Sequence, residues 1–228
     1  LVAGLAGVNN NTESQARGER FVAVEGLSCP PVVVNDAVVA HVGGLRSRPG
    51  IIAIGGTGSI VFGVNEAGTH LRNYDASHFG GIRASFLAYD AVHRVLAGDG
   101  VEDDEMLTRE IYAYWEVSSL EQLRESSAVW YQEDRQERDY RFGAMAQVVT
   151  EGATAGSPVA KAACDAASEG LCTGIRIVGA RFSGTDIDVV LIGGVARSPY
   201  LQKAIAGCLQ GDREHRYTIV EPAFTPEI

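Results

Sequence analysis

Short apolar runs of strand length alternate along this chain with longer stretches of helical spacing. Leu1–Val8 (LVAGLAGV) is one such run, and Asn9–Asn11 closes it with a turn. From Thr12 to about Glu25 the chain is polar with spaced apolar residues, which predicts a helix capped at Thr12. Pro30-Pro31 then introduces Val32–Val34, a β-branched run that reads as a buried parallel-type strand. Asn35-Asp36 ends it, and Ala37–Val42 has helical character. The order strand, helix, strand, helix predicts right-handed crossovers in a parallel sheet.

Gly43–Gly50 (GGLRSRPG) is the best linker candidate. Ile51–Ile54 and Ile60–Val64 follow, separated by Gly55-Gly56-Thr57-Gly58-Ser59, and predict a β-hairpin with a glycine-rich bend. Ala84–Leu96 can place Phe86, Leu87, Ala91, Val92 and Val95 on one helical face. Gly98–Glu105 reads as an acidic loop, and Met106–Tyr131 mixes aromatics and charges at helical spacing. Phe142–Ala155 and the alanine-rich Pro158–Val178 predict helices. Asp188–Ile192 is a second buried strand, followed by Gly193-Gly194-Val195-Ala196 and a helix over Pro199–Leu209 with proline at its start. Tyr217–Val220 predicts a last strand, and no short tandem repeat is visible.

Composition narrows the function classes. The 228 residues are 46% hydrophobic and 21% charged, enough to bury a core without disulfides or metals. A net charge of −10 argues against nucleic acid and anionic membranes as partners. It leaves room for a bound nucleotide, because backbone N–H groups hold phosphates inside acidic proteins. Cys29, Cys164, Cys172 and Cys208 form no CxxC pair and read as reduced thiols, mostly buried. Leu1–Val8 lacks a basic flank and is too short to span a bilayer, so the expected location is the cytoplasm.

Three places carry candidate chemistry, each with a plainer alternative. Gly56, Thr57, Gly58 and Ser59 can point adjacent N–H groups at one phosphate, or simply form a hairpin bend. Asp36 ends a buried strand, where open α/β sheets place ligands, and can take a proton from an attacking hydroxyl; it can equally cap the following helix. Gly193 and Gly194 can let a ring or ribose lie against backbone, or form an ordinary strand-to-helix turn. His41, His70, His78, His93 and His215 have no metal-ligand spacing, and no GxSxG elbow exists.

The order of these pieces decides between the alternatives. GLAGV, then NDA, then IGGTGS, then LIGGVA resembles the N-acetylglucosamine kinase and BadF/BadG/BcrA/BcrD ATPase family of the sugar kinase/actin/Hsp70 superfamily, over nearly the whole chain. The resemblance implies an α/β fold of two actin-like, ribonuclease-H-like lobes with mixed sheets flanked by helices, and the first lobe incomplete. Residues 1–46 would be a remnant of that lobe, and 47–228 the second lobe with a helical insertion over about 102–141. ATP would lie between the lobes with Mg²⁺ on its phosphates. Asp36 would be the catalytic base and lie close to the metal. Gly56, Thr57, Gly58 and Ser59 would form the second phosphate motif, and Gly193 and Gly194 the adenosine motif.

The sequence also departs from that family. No acidic, glycine-rich first phosphate motif (DGGGT-like) precedes Leu1, and the chain stops at Pro226-Glu227-Ile228 where a closing helix is expected. The expectation is that both segments exist in the native gene. The family's sugar-binding GGWG…GDEGS stretch is replaced by Asn73–Ser85 (NYDASHFGGIRAS), leaving Asn35, Asp75 and His78 as acceptor candidates, with Arg83 beside them. The resemblance therefore implies a kinase for a small hydroxyl acceptor, an amino sugar such as N-acetylglucosamine or a relative. A BadF-type ATPase acting on a protein partner and a non-catalytic ATP-binding module remain open. Some relatives bridge an iron–sulfur cluster between subunits, but no cysteine motif here supports one. The resemblance allows a homodimer.

Overall fold

The structure is a computed structural model that describes residues 2–8, 12–23, 25, 26, 28–80, 82–100 and 104–224. The expected turn at Asn9–Asn11, the side chain of Thr12 and the terminal Pro226–Ile228 lie outside these residues.

Two sheets are present among the described residues. In the first, β1 (Val2–Leu5) pairs in parallel with β2 (Val32–Asn35), Leu5 opposite Asn35. α1 (Thr12–Phe21) joins them and α2 (Asp36–Leu45) follows. In the second sheet, β3 (Gly50–Gly55), β4 (Ser59–Val64) and β5 (His70–Arg72) form an antiparallel meander. β6 (Asp186–Ile192) lies parallel to β3, and β7 (Arg216–Ile219) parallel to β6, so the order is β5-β4-β3-β6-β7. Three antiparallel strands flanked by a parallel pair is the ribonuclease-H-like arrangement. Between β5 and β6 stand α3 (Ala84–Ala97), α4 (Glu105–Tyr114), α5 (Leu120–Ser127), α6 (Arg135–Ala144), α7 (Ala146–Ala155) and α8 (Pro158–Gly179); α9 (Pro199–Leu209) links β6 to β7.

Strand alternation assigns the two faces of the second sheet. Ile51, Ala53 and Val61 join the large core made with α3, α7, α8 and α9, while Ile52, Phe62 and Val190 join Ala37 and Leu45 of α2 on the other face. α2 therefore packs on the second sheet although it grows out of the first. It runs through Gly43 and Gly44 to Leu45, into the stretch expected to be a linker, and ends at Arg46 in the left-handed conformation. Packing overrides glycine's poor helix propensity here, because the bare Cα of Gly44 faces Val190.

One residue of the acidic loop is buried. Asp104 is 4% exposed rather than solvated. One carboxylate oxygen accepts from Leu107 N at the start of α4, and the other from Val159 N at the start of α8 and from Ser157 Oγ. Ser157 Oγ in turn caps α8 by accepting from Ala160 N. One side chain thus satisfies the amino ends of two helices. Asp104→Ala removes the cap of α4 and strands the buried donors of Val159 N and Ser157 Oγ, so stability should fall by about 2–3 kcal/mol. Urea unfolding checks this; a loss within about 0.5 kcal/mol would contradict the shared cap.

Burial pushes the Cys164 thiol up to about 12 and raises Cys172 as well, so both are unreactive, whereas Cys29 is exposed. Among the described residues no helix is long and apolar enough to cross a membrane.

Candidate functional site

β3 and β6 run side by side with Ile54 opposite Ile192, so their carboxyl ends and the turns that follow emerge together. This is the edge where open α/β sheets bind ligands. The first turn, Gly55–Ser59, is the bend of the β3–β4 hairpin. Gly56 N–H donates to Gly58 O, and Gly56 O accepts from Ala84 N, which ties the turn to the start of α3. Tyr74 OH donates to Ser59 O, fastening the far side of the turn to the 3-10 turn Asn73–Ala76. Among the described residues, neither Thr57 N–H nor Gly58 N–H has a partner. Both residues are exposed.

The second turn, Gly193–Ser198, lies directly against the first. Ala196 N donates to Gly55 O at 3.2 Å. Gly193 has φ +95°, and a Cβ there would stand 2.4 Å from Gly55 O. No side chain fits between the two turns, so the glycine is required by contact as well as by conformation.

Thr57 also lines a cleft of about 1080 Å³ that opens between this turn and α6. Arg83, Ser85, Gln136, Asp139 and Tyr140 line it too. Arg83 Nη1 lies 3.8 Å from Asp139 Oδ2, and Arg135 Nε approaches the same oxygen at 4.0 Å. Tyr89 OH donates to Asp139 Oδ1 at 3.1 Å. Burial raises the Tyr89 phenol's pKa; the hydrogen bond from Arg138 opposes that shift and Asp139 reinforces it. Ser85 is 3% exposed, and among the described residues its Oγ has no hydrogen-bond partner.

Asn35 and Asp36 stand at the end of β2, in the other sheet. Asn35 Oδ1 accepts from Ala37 N and caps α2, while its Nδ2 donates to Val8 O and ties β2 to the end of β1. Asp36 is exposed in the first turn of α2, where the helix dipole favours a negative charge. Its Oδ1 accepts from Ala37 N at 2.9 Å. Asn35 and Asp75 line a common cleft of about 70 Å³ with His70, Arg72 and Phe62. The Asp75 carboxylate is already engaged, with Arg72 Nη2 at 2.7 Å and Arg72 N at 3.0 Å. His78 is turned elsewhere. Its ring lies against Gly174 of α8 and Gly80, with Nδ1 3.3 Å from Asn73 Nδ2.

No family model matches the chain. Over 85 residues it is 38% identical to an N-acetylmuramic acid/N-acetylglucosamine kinase of Clostridium acetobutylicum, a stretch that is 37% of this chain and 28% of that relative's length. A Chromobacterium violaceum protein described as a candidate N-acetylglucosamine kinase superposes with a TM-score of 0.69 at 20% identity, over 99% of this chain and 72% of the other. The fold is that of the actin-like sugar kinases. A ROK-family glucokinase from Streptomyces griseus, solved with glucose and AMPPNP, shares it with a TM-score of 0.54 at 16% identity, over 93% of this chain and 68% of the other.

Within the sugar kinase fold, the parallel pair β1–β2 with its helices repeats the β6–α9–β7 unit of the second lobe. The first lobe is represented by that unit alone among the described residues. The structure joins the two glycine turns that the sequence singled out. It joins Asn35 to Asp75 and sends His78 to a different surface. Sequence reading did not find the Thr57 cleft. Its walls come from α3 and α6, and no spacing within either segment signals the other.

Proposed function

We propose that this chain carries the nucleotide site of an ATP-dependent phosphotransferase acting on a hydroxyl of a small sugar-like acceptor. The observation that carries the reading is the locked pair of glycine turns at the carboxyl ends of β3 and β6. Thr57 and Gly58 supply N–H groups that have no partner among the described residues for phosphate oxygens, and Gly194, held in place by the packed Gly193, offers a bare surface for the nucleoside. The adjacent cleft of about 1080 Å³ has room for a nucleotide.

Asp36 is the proposed general base. Its carboxylate takes the proton of the acceptor hydroxyl as that oxygen bonds to the γ-phosphorus and the bond to the ADP oxygen breaks. Asn35 holds the β2–α2 corner that presents it. Magnesium would arrive on the nucleotide. Among the described residues no three His, Cys, Asp or Glu side chains converge on one point, and an ion held by phosphate oxygens and water needs no such cage. Asp36, an exposed oxygen donor, is the protein group suited to it, and bound Mg²⁺ would neutralise charge on the phosphates.

An amino sugar is the proposed acceptor, on the strength of the matched stretch shared with the Clostridium acetobutylicum kinase. One observation favours acceptor-independent ATP hydrolysis instead: Asp75, the acidic residue facing Asn35, is already neutralised by Arg72. ADP release from Mg·ATP separates the two, measured with and without N-acetylglucosamine, N-acetylmuramic acid and plain hexoses. A rate that rises strongly with one sugar supports the kinase. An equal rate without any acceptor sinks it in favour of an ATPase.

A further inference from the structure

We propose that Arg83 grips the polyphosphate of the bound nucleotide, exchanging Asp139 for phosphate oxygens when the cleft fills. The inference rests on the nucleotide reading of the cleft and adds a residue that neither glycine turn contains.

Arg83 is placed for this by the turn itself. Ala84 N donates to Gly56 O, so the residue immediately before it is fixed beside Thr57 and Gly58, whose N–H groups point to no protein acceptor among the described residues. Both Thr57 and Arg83 line the same cleft. The guanidinium is held loosely. Its nearest carboxylate oxygen, Asp139 Oδ2, is at 3.8 Å, beyond hydrogen-bonding distance, and Arg135 competes for that oxygen. The Phe86 ring, 5.1 Å away, supports the guanidinium's face and leaves its edge for a planar, bidentate partner.

A second feature points to a ligand. Ser85 lines this cleft and is 3% exposed, and among the described residues its Oγ has no partner. A buried hydroxyl left unpaired is costly, and a turn of this shielded side chain toward the oxygens of a bound molecule would remove that cost. The cleft thus offers, among the described residues, a loosely paired cation and an unsatisfied hydroxyl within three consecutive residues, beside two unpartnered amides. Phosphate oxygens suit all of them. Asp134 and Glu137 also line the cleft, but Asp134 is committed to capping α6.

Binding of ATP, ADP and adenosine by the whole chain tests the inference, titrated calorimetrically for the unchanged protein, Arg83→Ala and Asp139→Asn. Arg83→Ala should weaken ATP by about tenfold or more and leave adenosine within about twofold. Asp139→Asn removes the competing carboxylate while keeping an acceptor for Tyr89, and should tighten ATP. Equal losses for ATP and adenosine in Arg83→Ala, or no loss at all, overturn the role of Arg83. Weaker ATP binding by Asp139→Asn overturns the exchange, even if Arg83→Ala proves unstable. If the unchanged protein binds none of the three, the nucleotide reading falls and this inference with it.

Discussion

An Asp36→Asn protein is expected to bind Mg·ATP as the parent does and to lose sugar-dependent turnover by about 10²–10⁴-fold. The change is conservative at this position. Asparagine keeps an oxygen for Ala37 N–H, and Asn35 remains the cap of α2, so the corner should fold unchanged. What disappears is the carboxylate's ability to accept a proton. A parallel ADP-release assay and nucleotide titration give the answer: full turnover in Asp36→Asn would remove Asp36 from the chemistry. If the chain hydrolyses ATP without an acceptor, the same variant shows whether Asp36 also activates water.

The second large effect is expected from Gly193→Ala. The new methyl would have to stand 2.4 Å from Gly55 O, a backbone atom that cannot move aside as a side chain can. The conformation at φ +95° adds strain for any L side chain. Conformational strain of about 1–2 kcal/mol and overpacking of about 1–3 kcal/mol together predict a stability loss of about 2–5 kcal/mol. The two glycine turns would separate, and ATP affinity should fall steeply. Gly194→Ala is the internal control, since its Cβ meets nothing within 4 Å. Its stability should stay within about 0.5 kcal/mol of the parent. Weakened ATP binding in that stable variant would place the ligand against Gly194; equal stability of the Gly193 and Gly194 variants would refute the locked turns.

Much of the fold was legible because its signals are local. The hairpin around Gly55–Ser59 is found where alternation and glycine content predict it, in an antiparallel register that pairs Gly55 with Ser59. The run Asp188–Ile192 is the carboxyl-terminal part of β6, and the alanine-rich helix ends within a residue of its predicted limits. β5 escaped notice because His70–Arg72 is three residues long and half polar, and only pairing with β4 makes it a strand. The end of α2 escaped because two adjacent glycines read as a break, and only the packing of Gly44 on Val190 keeps them helical. Nothing in the sequence marks Asp104 as a cap shared by two helices, for a similar reason. Its partner Ser157 is 53 residues away, and a composition window cannot see across that distance.

The candidate site divides the same way. The glycine turns announce themselves, since bare backbone and hydroxyls in a tight bend are visible in one dimension. The cleft beside them does not. Arg83 and Asp139 become neighbours only after α3 and α6 pack together. Nor does the sequence show that Asp75 spends its charge on Arg72, three residues earlier in the chain, and so differs in availability from Asp36.

Mechanically, α2 is a strut between two frames. Its first turn belongs to the corner of β2, where Asp36 sits, while Ala37, Gly44 and Leu45 along its length are bedded on Ile52, Phe62 and Val190 of the other sheet. β3, one of the strands it lies on, ends at the glycine-rich bend. The distance from the carboxylate to that bend is therefore set by a single packed layer. Substitutions that shave this layer, at Leu45 or Val190, would change the spacing between Asp36 and the bend without touching either of them.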